Sequence, residues 1–225
     1  MGAPALIYCA DGNPSFARVA VEAGWLYGAR LPNTVYEKVY FADQDWKSPE
    51  RQAYMTALAE HHPTMATVID WEKEDQLAEV LSWAEEAAQY VMESVLVVPK
   101  VVGGISLLPR KVNGKRVVLA YSVQTSYGGS PVPLWELKGW PVHLLGGSPQ
   151  EQMRVACQIG MICDVVSVDG NMAAMQARKG RTWQREKCNK GHWWQLRDCG
   201  DDRSKPALEC FRRSLDAISK AWKEV

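Results

Sequence analysis

Eight short apolar runs recur along this chain, and most are separated by a longer amphipathic segment. They read as strands at 5–9, 26–31, 38–42, 65–70, 95–100, 117–123, 141–146 and 164–169. Runs that are apolar throughout, rather than alternating, indicate a parallel sheet covered on both faces. The intervening segments at 15–24, 48–62, 73–91 and 148–160 read as helices. In the third, Leu77, Val80, Leu81, Ala84, Ala88 and Val91 fall on one face at helical spacing. Ser48-Pro49 and Ser148-Pro149 look like helix starts with proline in the first turn. The expected fold is α/β, a compact (β/α)8 barrel of the TIM type, with an open doubly wound sheet as the alternative. Asn113-Gly114 between polar flanks predicts a hairpin turn inserted before the sixth strand.

The 225 residues divide in character near residue 175. Residues 1–175 read as the barrel, and 176–225 as an appended basic, tryptophan-rich subdomain ending in a helix. Residues 178–225 carry 13 Lys/Arg against 7 Asp/Glu, although the whole chain is formally neutral. A basic end on an acidic body suits a phosphate backbone, and equally a solvated helical tail. No apolar run approaches the roughly 20 residues of a membrane span, and no secretory signal opens the chain, so a cytoplasmic protein with no membrane partner is expected. Its six cysteines are then not a disulfide framework. Cys9, Cys157 and Cys163 read as small core residues. Cys188, His192, Cys199 and Cys210 supply the number of ligands that a structural zinc requires.

In such a barrel functional groups gather at the C-terminal strand ends. There stand Asp11, Asp70 with Glu72, Lys100, the Gly146-Gly147 pair and Asp169. Asp11 and Asp169 each open an Asp-Gly-Asn tripeptide, continued by Asn13 and Asn171, and strands one and eight become neighbours when the barrel closes. Any one of these aspartates could be a helix cap; several at one rim suggest distinct chemical roles. Lys100 is either a Schiff-base nucleophile or the partner of a carboxylate or phosphate. His143, inside a strand, reads as a packed core histidine.

The segment "PVHLLGGSPQEQMRVACQIGMICDVVSVDGNMAAMQARKGRTW" resembles the closing part of the tRNA-guanine transglycosylase superfamily. In that family a strand-turn-helix resembling "LLGGSPQEQ" precedes a strand bearing the catalytic aspartate and then a segment like "ARKGRTW". "VIDWE" resembles its pocket aspartate and "CADGN" its aspartate-bearing loop. The short chain is most similar to the 7-deazaguanine DNA transglycosylases of phages and bacterial genome islands. The resemblance implies exchange of guanine in DNA, less so in tRNA, for a free 7-deazaguanine base such as preQ0, with other modification proteins as possible partners. Asp169 would be the nucleophile and Asp11 would handle the proton. By simple register Ser167 aligns with the family's aspartate, with Asp164 and Asp169 on either side; Asp169 is taken because it ends the strand at the mouth, whereas Asp164 begins it. Asp70 would read the purine edge, with Glu72, Lys100, Gly146, Gly147, Asn13 and Asn171 nearby. Arg178, Lys179, Arg181 and Trp183 would meet the nucleic acid. The other readings are an aldolase-like lyase using Lys100, and an inactive nucleic-acid-binding accessory protein.

Overall fold

The computed structural model describes residues 2–9, 13–126, 128–185, 194–196 and 204–225. Strands β1 (Ala5–Cys9), β2 (Leu26–Arg30), β3 (Phe41–Asp43), β4 (Met65–Trp71), β5 (Ser94–Pro99), β7 (Lys115–Ser122), β8 (Pro141–Leu145) and β9 (Asp164–Gly170) pair in parallel in that order. β5 pairs with β7, and β9 returns to β1, which closes a barrel. Between β5 and β7 a short strand β6 (Lys111–Val112) forms the expected hairpin, with Asn113 and Gly114 both at positive φ. That is the two-residue turn for which Asn-Gly is suited.

Helices α1 (Pro14–Glu22), α2 (Arg51–His61), α3 (Leu77–Ala87), α4 (Pro149–Ile159) and α5 (Met172–Ala177) cover the barrel. The links after β2, β5 and β7 contain no α-helix; two of them carry a single 3-10 turn each, Gly104–Leu107 and Leu134–Leu137. This economy explains how eight parallel strands fit a chain that is short for the type. Ser148 caps α4, its Oγ accepting from Glu151 N, with Pro149 at the first position. Ser48-Pro49 acts differently from the expectation: α2 begins only at Arg51, and no side chain caps it.

The last helix, α6 (Ser204–Trp222), packs on the outside of the barrel against α1 and α5. Its buried stripe runs through Cys210, Phe211, Leu215, Ile218 and Trp222, at helical spacing. The Phe211 ring lies 5.1 Å from Tyr8 and 4.9 Å from Phe16. Trp25 Nε1 donates to Ser219 Oγ at 2.9 Å, and Trp183 N donates to Ser214 Oγ at 2.9 Å. Trp183 belongs to β10 (Arg181–Trp183), which pairs antiparallel with β11 (Trp194–Leu196). No helix among the described residues is long and apolar enough to cross a membrane.

Two hydrophobic layers result. One lies between strands and helices. The other fills the barrel with Ile7, Phe41, Met65, Leu96, Val98, Val118 and Ala120. Cys163 is buried as expected and Cys9 partly so, whereas Cys157 is exposed on α4: it falls on the helix face turned from the strands.

Candidate active site at the barrel mouth

Side chains alternate along a strand, so an inserted residue reverses which of them face inward. Two such insertions build this site. Along β4, Thr67 pairs with Leu96 and Asp70 with Val98, so three steps on one strand match two on its neighbour. Val98 faces the interior, and the bulge turns Asp70 inward in place of Ile69. Along β9, Val142 pairs with Val165 but His143 pairs with Ser167. This second bulge brings Ser167 and Asp169 to the interior face. Asp164 is exposed at the opposite end of the strand. Of the three competing positions, only Asp169 lines the mouth; Ser167 lies below it with no exposed surface.

The mouth is a cavity of about 430 Å³ whose walls include Arg30, Asp43, Asp70, Lys100, Gly146 and Asp169. Asp169 Oδ1 accepts from Gly146 N at 2.8 Å and faces His143 Nε2 at 3.3 Å. Gln152 Nε2 donates to Gly146 O at 2.8 Å and to Asp169 O at 2.6 Å, tying the ends of β8 and β9 together. Gly147 follows at φ +82°, and a Cβ there would stand 2.8 Å from Val123. The glycine pair therefore serves to bring a backbone N–H onto Asp169.

Asp43, at the end of β3, is the carboxylate the strand reading missed by ending that strand at Ala42. Phe41 faces the core, so Asp43, two residues on, faces the same interior. Its Oδ1 accepts from Thr67 Oγ1 at 3.1 Å. Burial, then the negative charge of Asp169, push its pKa from 3.8 up to about 7, against the opposing pull of Arg30 and Thr67. It is thus a carboxyl group that holds a proton near neutrality.

Asp70 is paired with Lys100, Oδ2 to Nζ at 2.6 Å, and Glu72 Oε1 lies 3.2 Å from the same nitrogen. Burial raises the pKa of Asp70 and Lys100 lowers it, with a net rise. For Lys100 burial pulls down, but Asp70 and Glu72 outweigh it and raise the pKa. Glu72 is 56% exposed and steadies Lys100 from outside the cavity wall.

Other expected residues fall elsewhere. Asn171 lines the mouth. Asn13 does not: its Oδ1 accepts from Ser15 N and Phe16 N, so it is the cap of α1 rather than a substrate contact. Trp183 is 1% exposed, with Nε1 donating to Gln150 Oε1 at 3.2 Å, so it is a core residue and offers no stacking face. Among the described residues the exposed indole at the mouth is Trp46, at 52% exposure, with Lys47 Nζ 5.3 Å from its ring. Arg178 lies over the Phe16 ring, Lys179 is exposed, and Arg181 is half-buried beside Gln176. Asp11, Cys188, His192 and Cys199 lie outside the described residues. Cys210 is fully buried in the layer beneath α6, and among the described residues no three His, Cys, Asp or Glu side chains are grouped to hold a metal.

Residues 20–223 match a family of unknown function, DUF6610. The chain belongs to that family. No curated protein matches it. The DUF6610 match begins after β1 and spans the other strands of the barrel together with α6, so the mouth residues from Arg30 to Asn171 all fall within it.

Proposed function

We propose that this DUF6610 protein is a base-exchange transglycosylase, replacing guanine in a nucleic acid, DNA in the first instance, with a 7-deazaguanine. The observation that carries the reading is the meeting of Asp43, Asp70 and Asp169 at one mouth, each with different partners: Thr67 for Asp43, Lys100 for Asp70, and Gly146 N with His143 for Asp169. Carboxylates held by different partners can take separate tasks. The resemblance of residues 141–183 to the transglycosylase superfamily supports the same assignment.

In this reading Asp169 attacks C1′ of the target nucleotide and the glycosidic C–N bond breaks. The bonding pair leaves with guanine, which takes the Asp43 proton at a ring nitrogen. The incoming base gives its pyrrole N–H proton to Asp43, and that nitrogen displaces Asp169 to restore a glycosidic bond. Asp70, held by Lys100, accepts from the donor-rich edge of the purine, where a base lacking those donors leaves the carboxylate unpaired. Asp43 takes the proton-handling task that the resemblance gave to Asp11. The target base has to leave the helical stack to reach the mouth, and Trp46 with Lys47 offers the stacking face and phosphate contact that the buried Trp183 does not. Zinc has no step in this chemistry.

Incubation with guanine-containing DNA and labelled preQ0 or guanine tests the reading. Label enters the DNA with the native protein and not with Asp169→Asn. Absence of label in both DNA and tRNA with native protein refutes it. A lysine-based lyase is disfavoured, because Lys100 is held protonated by two carboxylates and a Schiff-base lysine needs the free amine.

A further inference from the structure

His143 lies inside the barrel with no exposed surface, its ring 4.9 Å from that of Phe41. A buried imidazole needs partners for both nitrogens, and an aromatic hydrocarbon in its place would need none. Both partners are present. Nδ1 lies 2.8 Å from Ser167 Oγ and Nε2 lies 3.3 Å from Asp169 Oδ1. A carboxylate oxygen only accepts, so Nε2 carries a hydrogen directed at Asp169. The second donor to Asp169, Gly146 N, falls on the same Oδ1. Among the described residues both hydrogen bonds to the Asp169 side chain fall on one oxygen, and Asp169 lines the mouth, which leaves Oδ2 for it.

We propose that His143 is a positioning residue, which together with Gly146 holds Asp169 by Oδ1 so that Oδ2 is the reacting oxygen, while Ser167 orients the imidazole from below. This rests on the reading of Asp169 as nucleophile but goes beyond it. Neither the strand pattern nor the superfamily resemblance assigns a histidine here. The arrangement follows the rule by which an outer hydrogen bond fixes the tautomer and direction of a working group. It also accounts for a polar pair, His143 and Ser167, beside an apolar layer that includes Met65, whose Sδ lies 3.8 Å from Ser167 Oγ.

The test uses the full chain and two independent measurements. The first is nitrogen-15 NMR of the histidine side chains, assigned by comparison with His143→Phe. Nε2 of His143 is expected to be protonated, with its signal moved by Asp169→Ala. An unprotonated Nε2, or a signal indifferent to Asp169→Ala, overturns the proposal whatever the protein's activity. The second is base-exchange kinetics. His143→Phe is expected to lower kcat about 10- to 100-fold with KM within about twofold, as for other outer-shell partners. His143→Gln, which keeps an N–H donor, restores part of that loss, and Ser167→Ala gives a smaller loss than His143→Phe. Thermal unfolding of His143→Phe at or above the native midpoint separates positioning from folding. A kcat unchanged in His143→Phe, or a loss wholly in KM, overturns the proposal. Absence of exchange by the native protein together with the expected NMR result instead refutes the transglycosylase reading alone.

Discussion

Asp43→Asn is expected to stabilise the protein near neutral pH while removing its activity. Burial and the charge of Asp169 raise this carboxyl from 3.8 to about 7. The folded state then binds the Asp43 proton more tightly than the unfolded state does. Its contribution is fully present below about pH 4 and is lost as pH rises through 7, because unfolding releases a proton across that window. Three pKa units at 1.36 kcal/mol each amount to about 4 kcal/mol as an upper bound. Asparagine carries no charge and keeps an oxygen to accept from Thr67. The stability difference between variant and native protein therefore grows with pH by up to about 1.4 kcal/mol per unit between roughly 4.5 and 6.5, and levels off above 7.5. Urea unfolding followed by tryptophan fluorescence, in buffers from pH 4.5 to 8.5, measures it. Taking the difference cancels the titration of the groups that do not interact with Asp43, while its coupled neighbours Asp169 and Asp70 contribute to the measured curve. A difference that is flat with pH, or that falls as pH rises, refutes the reasoning. A stabilised and inactive variant is what a strained functional group predicts.

Lys100→Met should raise KM about tenfold with kcat little changed, because Asp70 loses the cation that orients it; borohydride should trap no adduct on the native protein. Abolished turnover with a trapped adduct would point to the lyase instead. Gly147→Ala should cost roughly 1–3 kcal/mol of stability, from a positive φ and a Cβ set against Val123, and urea unfolding reads the loss. Trp46→Ala should weaken binding of a single-stranded oligonucleotide about tenfold or more, Trp46→Phe much less; unchanged binding in a titration places the nucleic acid elsewhere. The proposed zinc site of Cys188, His192, Cys199 and Cys210 predicts about one zinc per purified chain, lost in Cys199→Ser. Less than roughly half a zinc per native chain counts against four-ligand coordination.

The spacing of apolar runs was enough to read the barrel, because continuous hydrophobicity over five or so residues reports a sheet covered on both sides. All eight strands lie close to where those runs place them, as do the hairpin at Asn113-Gly114 and the capped start of α4. The gathering of Asp70, Lys100, Gly146, Gly147 and Asp169 follows from the same reading, since parallel strands bring their C-terminal ends to one rim. Side-chain direction is another matter. Strict alternation would turn Asp70 and Asp169 out of the barrel, and only the bulges in β4 and β9 turn them in. A bulge is a property of two strands in register, set by how hydrogen bonds close around the whole barrel, and neither strand's own residues announce it. The same closure sets Phe41, His143, Ser167 and Asp169 against one another, buries Trp183 beneath the barrel's last helix, and leaves Trp46 at the mouth. Composition and periodicity name the groups available to this protein, but the register of distant strands selects which of them meet.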